Sequence, residues 1–384
     1  MSQTVRWSAF AIGLAVLLVT WMSVIGTLIV PRPINSRISR YSGIGATVLF
    51  SMICRPLHRY QARDRVLAWQ APMSLFLRLV VWVGLFVVSY ALLLVPFLHG
   101  HVGQAFSESG SALFTLGYAA PDHVANTTIV YLAAFSGLVV VALQIGYLPT
   151  LYSAFNRRES EVTLLVSRAG APAWGPELLA RTRFGLASVD GTAEMAELYR
   201  TWERWAAEVA ESHSTYLTLC WLRSPREDAN WLISLLSVMD AAALQLSLSP
   251  SIVPALRARL VLRMGFTCLN QIAQAVGIAV VEDADPDAAI DLTFDQFAGA
   301  VEMLQGLHYP VEVSAEQAWP HFRGWRVNYE SVAYALARVI DAPPALWSGP
   351  RRWGGEPLPP RRPTNRVARE TSADDPQMVR RVKG

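Results

Sequence analysis

Residues 111–119 read Ser-Ala-Leu-Phe-Thr-Leu-Gly-Tyr-Ala, a short polar stretch carrying one glycine and suspended between two long apolar runs, 79–98 and 129–148. From residue 79 to residue 156 the chain has no lysine or arginine. Backbone carbonyls replace the water shell of a cation only where the chain is extended, small at its bends and flanked by apolar helices. Thr115, Leu116, Gly117 and Tyr118 meet those demands.

Working outward, the two flanking runs and a third at 8–30 each hold about 20 or more residues without a charge, enough for a helix to cross a bilayer. The whole chain of 384 residues is 52% hydrophobic and only 16% charged, which is too apolar for an ordinary soluble enzyme. The expected fold class is therefore an all-α membrane protein with three transmembrane helices, a re-entrant loop at 99–128 and a helical domain behind them. The apolar run 42–54 is too short to cross and is bracketed by Arg40 and Arg55, so it is expected to be interfacial or packed against protein. No other run is read as a span. The first run is too long for a signal peptide and lacks a small-residue cleavage site, so it is expected to be retained. Cys54, Cys220 and Cys268 lie far apart, a spacing that suggests neither a disulfide framework nor a zinc site.

Arginine placement sets the expected topology. Arg32, Arg37, Arg40, Arg55, Arg59, Arg63 and Arg65 stand against the lone acid Asp64 between the first two spans, which puts that connection in the cytoplasm. Arg157 and Arg158 follow the third span directly. The N-terminus and the 99–128 connection are thus expected outside, and everything after Arg157 inside. Within that connection, 103–114 is the candidate pore helix, with its carbonyl end favouring a cation. Glu108 and Asp122 are its only acids. They are candidates for a cation-attracting pore mouth, Glu108 reading equally as a charge near a helix N-terminus. On the third span Gly137, Gly146 and Pro149 are candidate bend points for a gate, or, for the glycines, sites of close helix packing. Gln144 lies between them and is expected to face a cavity.

These residues resemble the potassium channel superfamily, whose minimal unit is an outer helix, a pore helix, a threonine-x-glycine-tyrosine-glycine filter and an inner helix. Residues 75–155 match that plan in order and spacing. The resemblance implies that Thr115 supplies the innermost carbonyl and hydroxyl, and Leu116, Gly117 and Tyr118 the next carbonyls. It implies a homotetramer around a central axis, with potassium as the permeant ion and no cofactor. Ala119 replaces the final glycine of the motif, and a left-handed backbone there is expected to cost about 1–2 kcal/mol. The acid that usually follows is displaced to Asp122, so a non-selective cation pore is the nearest variant. The first span has no counterpart in the minimal unit and carries no arginine ladder, which argues for a peripheral helix rather than a voltage sensor.

The resulting division is a peripheral transmembrane helix (1–30), an arginine-rich linker (31–72), a pore module (73–158), a cytoplasmic all-helical domain (159–345) and a disordered basic tail (346–384). In the domain, Met195, Leu198, Trp202, Trp205 and Val209 recur at spacings of three and four, a helical stripe. Further helices are expected over 230–246, 253–276, 294–307 and 315–340. No glycine-rich nucleotide turn and no alternating strands occur, so the domain's ligand is unknown and no nucleic-acid partner is suggested. The acids Glu282, Asp283, Asp285, Asp287 and Asp291 lack the glycine and terminal glutamate of a calcium loop, Ala288 and Phe294 standing there. His213 with Cys220, and His321 near Arg323, are expected to be surface or packing residues. No catalytic constellation emerges. Three classes compete on this reading: a cation channel that binds membrane lipid, a non-conducting membrane-anchored scaffold, and a membrane-tethered enzyme.

Overall fold

The structure, a computed structural model, describes residues 2–30, 36–99, 101–119, 124–181, 191–281 and 284–361. Asp122, Glu282, Asp283 and the tail from 362 onward lie outside the described residues. Those residues form fourteen α-helices and no named strand.

Helix α1 (Gln3–Leu28) starts where the Ser2 side chain accepts the Val5 N–H, an N-cap that satisfies one orphan donor. It runs antiparallel to α4 (Gln70–Leu94). Gly13 sits where a Cβ would fall 2.8 Å from the Leu92 Cβ and the Ser89 carbonyl oxygen, and about three turns on the Trp82 indole donates to the Ser23 Oγ at 2.9 Å. Between them the chain forms α2 (Arg37–Cys54) and α3 (Tyr60–Leu67). The 42–54 run is part of α2. It buries Ser42, Ala46, Phe50 and Cys54, four residues apart on one face, and Gln70 donates to Thr47 at 3.2 Å. Tyr41, Ile44, Val48 and Met52 on the other face are exposed.

A short helix α5 (Val102–Leu113) lies between α4 and the long helix α6 (Val124–Ala169). The Ser109 hydroxyl ties α5 to α4 by donating to the Val87 carbonyl at 2.8 Å. Trp82, Phe86, Tyr90, Leu113, Ala133 and Val140 form the buried centre of this bundle. The apolar run at 129–148 is only the middle of α6, whose 46 residues make a rod about 69 Å long. Among the described residues four helices have the length and apolarity to cross a membrane, consistent with a multi-pass membrane protein.

One of those four was not expected. Helix α10 (Trp231–Leu248) qualifies by length and composition, but 94% of its apolar window is buried inside the chain. Protein rather than lipid covers it. Asn230 caps it by accepting the Leu232 and Ile233 N–H groups at 3.0 and 3.3 Å. Around α10 pack α7 (Gly175–Ala180), α8 (Gly191–Thr215), α11 (Ala255–Val276), α13 (Ala315–Arg326) and α14 (Glu330–Val339), while α9 (Thr218–Trp221) packs against α4 and α8, and α12 (Phe294–Gly306) against α7 and α13. The stripe Met195, Leu198, Trp202, Trp205 and Val209 faces this core from α8.

The tail does not begin at 346. Trp347, Ser348 and Arg351 are buried. Trp347 meets Phe322 and Trp174 at ring distances of 5.7 and 5.6 Å, and Arg351 donates to the carbonyls of Ala342 and Pro343 at 2.7 and 2.6 Å. Arg361 then exchanges two backbone bonds with Ala171. A composition rich in proline and arginine hid this because one tryptophan and one guanidinium carry the packing.

Candidate functional site

Helix α5 ends at Leu113, and the chain after it folds back along its own last turn. The N–H groups of Phe114, Thr115 and Leu116 donate to the carbonyls of Gly110, Ala112 and Ser111 at 3.0, 3.0 and 2.8 Å. Ser111 accepts again, its Oγ taking the Ala119 N–H at 3.2 Å. The loop is thus pinned at both ends to one serine of the helix. Thr115, just before the first pin, has φ +54°, and Gly117, between the two, has φ +71°. Positive φ is ordinary for glycine and rare for a β-branched residue. Ala119 is not among the residues with positive φ, so the strain expected there falls on Thr115 instead. Thr115 partly compensates through its hydroxyl, which donates to the Phe114 carbonyl at 2.8 Å.

Thr115, Leu116, Gly117 and Tyr118 are all exposed on their own chain. Leu116 and Tyr118 keep 63% and 65% of their surface, and nothing lies within 4 Å of the place a Gly117 Cβ would occupy. The Ser107 hydroxyl donates weakly to the Tyr118 phenol at 3.5 Å. Four successive backbone units are held at fixed positions with an open side facing away from the subunit.

The other expected residues divide. Glu108 is 1% exposed and accepts from the Gln104 amide at 3.1 Å, so it lies behind the loop and not on an open mouth. Asp122 is outside the described residues. Gly137 is a close-packing site: a Cβ there would fall 2.2 Å from the Leu113 carbonyl oxygen. Gly146 has nothing within 4 Å and is exposed together with Pro149. Gln144 is buried, 8% exposed, and does not share the open face of α6. That face carries Tyr131, Phe135, Leu138, Ala142, Ile145, Pro149 and Tyr152, spaced alternately by four and three, the period of a helix seam.

Sequence reasoning missed the charges that join the membrane helices to the helical domain. Arg158 on α6 is 1% exposed and donates to the Leu219 and Leu222 carbonyls, both at 2.7 Å. It also pairs with Glu159. Its Nη1 lies 3.0 Å from the His213 Nε2. A guanidinium only donates, so that nitrogen is the acceptor and His213 is neutral. Burial, then Arg158, holds His213 well below the usual imidazole range. Burial pushes the nearby Cys220 thiol up to about 12, leaving it unreactive. On the other side, Arg223 pairs with Asp64 of α3 at 2.7 Å, and Arg63 with Asp341 at 3.3 Å. Deep in the domain Arg326 bonds Asp240 and Glu330. The sequence marks Arg63 and Arg158 only as topology charges, since nothing local tells a buried arginine from a solvated one.

Among the described residues no group of three or more His, Cys, Asp or Glu is placed to hold a metal ion. The arrangement offers an exposed backbone loop, 115–118, with open space beside Gly117. No protein-family description, no curated protein and no solved structure matches this chain.

Proposed function

We propose that the chain is one subunit of a homotetrameric cation channel that conducts potassium passively, with the backbone of 115–118 as its filter. The observation that carries this is the loop itself. An exposed segment with left-handed residues at Thr115 and Gly117 follows a helix wedged between two apolar spans, α4 and the outer part of α6. One such loop cannot enclose an ion path, and rotational closure by identical chains is the economical completion. The open apolar seam on α6, from Tyr131 to Tyr152, supplies a face for neighbouring subunits and for the conduction path. Arginine placement supports an orientation with the N-terminus outside and the helical domain in the cytoplasm.

Reconstitution of the full chain in vesicles tests it. Cation flux with a reversal potential favouring potassium over sodium is expected, abolished by Gly117→Trp, which fills the open side of the loop. Equal permeability to both ions replaces potassium by a non-selective pore. A folded tetramer without flux assigns the chain to the competing class, a membrane-anchored scaffold.

A further inference from the structure

Three arginines at one end of the bundle have no carboxylate. Arg78 of α4 lies one turn from Trp82, and its guanidinium meets the Tyr147 phenol, while its Nε is shut off from solvent without a partner. Arg37 and Arg40 occupy the exposed first turn of α2. That turn is fixed at the same level: Ser36 donates to Ser23 at 2.6 Å, Ser39 meets Thr27 at 2.7 Å, and Ser23 is the acceptor for Trp82. None of the three arginines makes an ion pair among the described residues.

The level itself has a meaning. Leu28, the last residue of α1, packs with Leu75 and Tyr147, so the apolar length of α1 ends beside Arg78. A guanidinium at the end of a spanning helix reaches the headgroup band, and its planar fork matches phosphate oxygens in pairs. An orphaned buried N–H costs free energy until an acceptor reaches it.

We propose that Arg37, Arg40 and Arg78 form a binding site for the phosphate of an anionic phospholipid, seated where α1 ends, α2 begins and α4 enters the membrane. Acidic lipid is preferred over zwitterionic lipid because three positive charges stand there without a counter-charge. This rests on the membrane reading of the chain and not on conduction, so absence of ion flux leaves it standing.

The test uses the full chain in neutral detergent, following thermal unfolding while phosphatidylglycerol, phosphatidylcholine or inorganic phosphate is added. Phosphatidylglycerol is expected to raise the melting temperature saturably. In Arg78→Leu, and in Arg37→Gln/Arg40→Gln, the half-saturating concentration should rise at least tenfold. The double variant alters only exposed side chains, so it reports even where Arg78→Leu fails to fold. An unchanged titration in the double variant overturns the proposal, as does equal stabilisation by phosphatidylcholine. Saturation by inorganic phosphate at the same concentration reassigns the arginines to a simple anion site and overturns the lipid.

Discussion

Thr115 holds a conformation that costs on the order of 1–3 kcal/mol, and it does so two residues before a glycine that takes the same sign of φ freely. The hydrogen bonds that Ser111 accepts from the Leu116 and Ala119 N–H groups, with the one that Thr115 donates to the Ala112 carbonyl, keep the strained residue in place. Gly137 is the second constrained position, because the Leu113 carbonyl occupies the space of its missing side chain. Gly137→Ala is therefore expected to destabilise the protein by about 1–3 kcal/mol, the cost of overpacking, and to displace the loop through Leu113. Gly146→Ala, with open space around it, should gain up to about 1 kcal/mol from helix propensity. Thermal unfolding of the two variants checks the contrast, and equal effects would refute the packing assignment. Sequence alone made the two glycines equivalent. Only the approach of another element separates them, and that is a tertiary property. The loop was legible because its polarity, its glycine and its apolar flanks are all local. The burial of Glu108 and Gln144 was not, since a polar residue facing an open cavity and one facing its own bundle carry the same letters.

At the scale of elements, α6 and α8 meet through Arg158 and His213, and that contact requires a neutral imidazole. Because burial and Arg158 lower its folded pKa, the folded state refuses a proton that the unfolded chain accepts below about pH 6.5. The contribution is whole above that pH and is lost as pH falls from there toward the folded value. Between pH 7 and 5.5 the wild type should lose about 1 kcal/mol more stability than His213→Gln, which keeps an acceptor without the titration. Parallel pH profiles for the two proteins would remove His213 from the joint. The longer helices were readable, since capping residues such as Asn230 and the three-and-four spacing of α8 are written locally. The short α3, α7 and α9 were not, and the run expected as one helix over 315–340 is two, α13 and α14. Two further things were hidden. The continuation of α6 past Pro149 depends on the domain that holds Arg158, and α10 looks like a spanning helix until its neighbours are known.

In the whole molecule the helical domain grips the membrane bundle at two places, α6 through Arg158 and α3 through Arg223–Asp64 and Arg63–Asp341. Arg223 also donates to the carbonyls of Ile340 and Asp341 at 2.8 and 3.0 Å, which locks the end of α14 into the same knot. Removing one partner of a buried pair costs about 3–5 kcal/mol because the other charge stays buried. Asp64→Asn and Arg223→Gln should each destabilise by that order. The double variant should cost clearly less than their sum, and strict additivity in chemical or thermal unfolding would break the proposed link. None of this was visible beforehand, since the partners across these joints are 55 to 278 residues apart.

The rod of α6 gives that grip leverage. From its tight contact at Gly137 to its far end at Ala169 the helix extends about 48 Å, so a swing of only five degrees about the glycine carries the distal tip through roughly 4 Å. A displacement that the core of the domain absorbs as a small slide between helices reaches the Leu113 carbonyl as a fraction of an ångström. Distance along this one continuous helix, taken without a bend at Pro149, thus scales a coarse movement down to the size that matters beside the strained threonine.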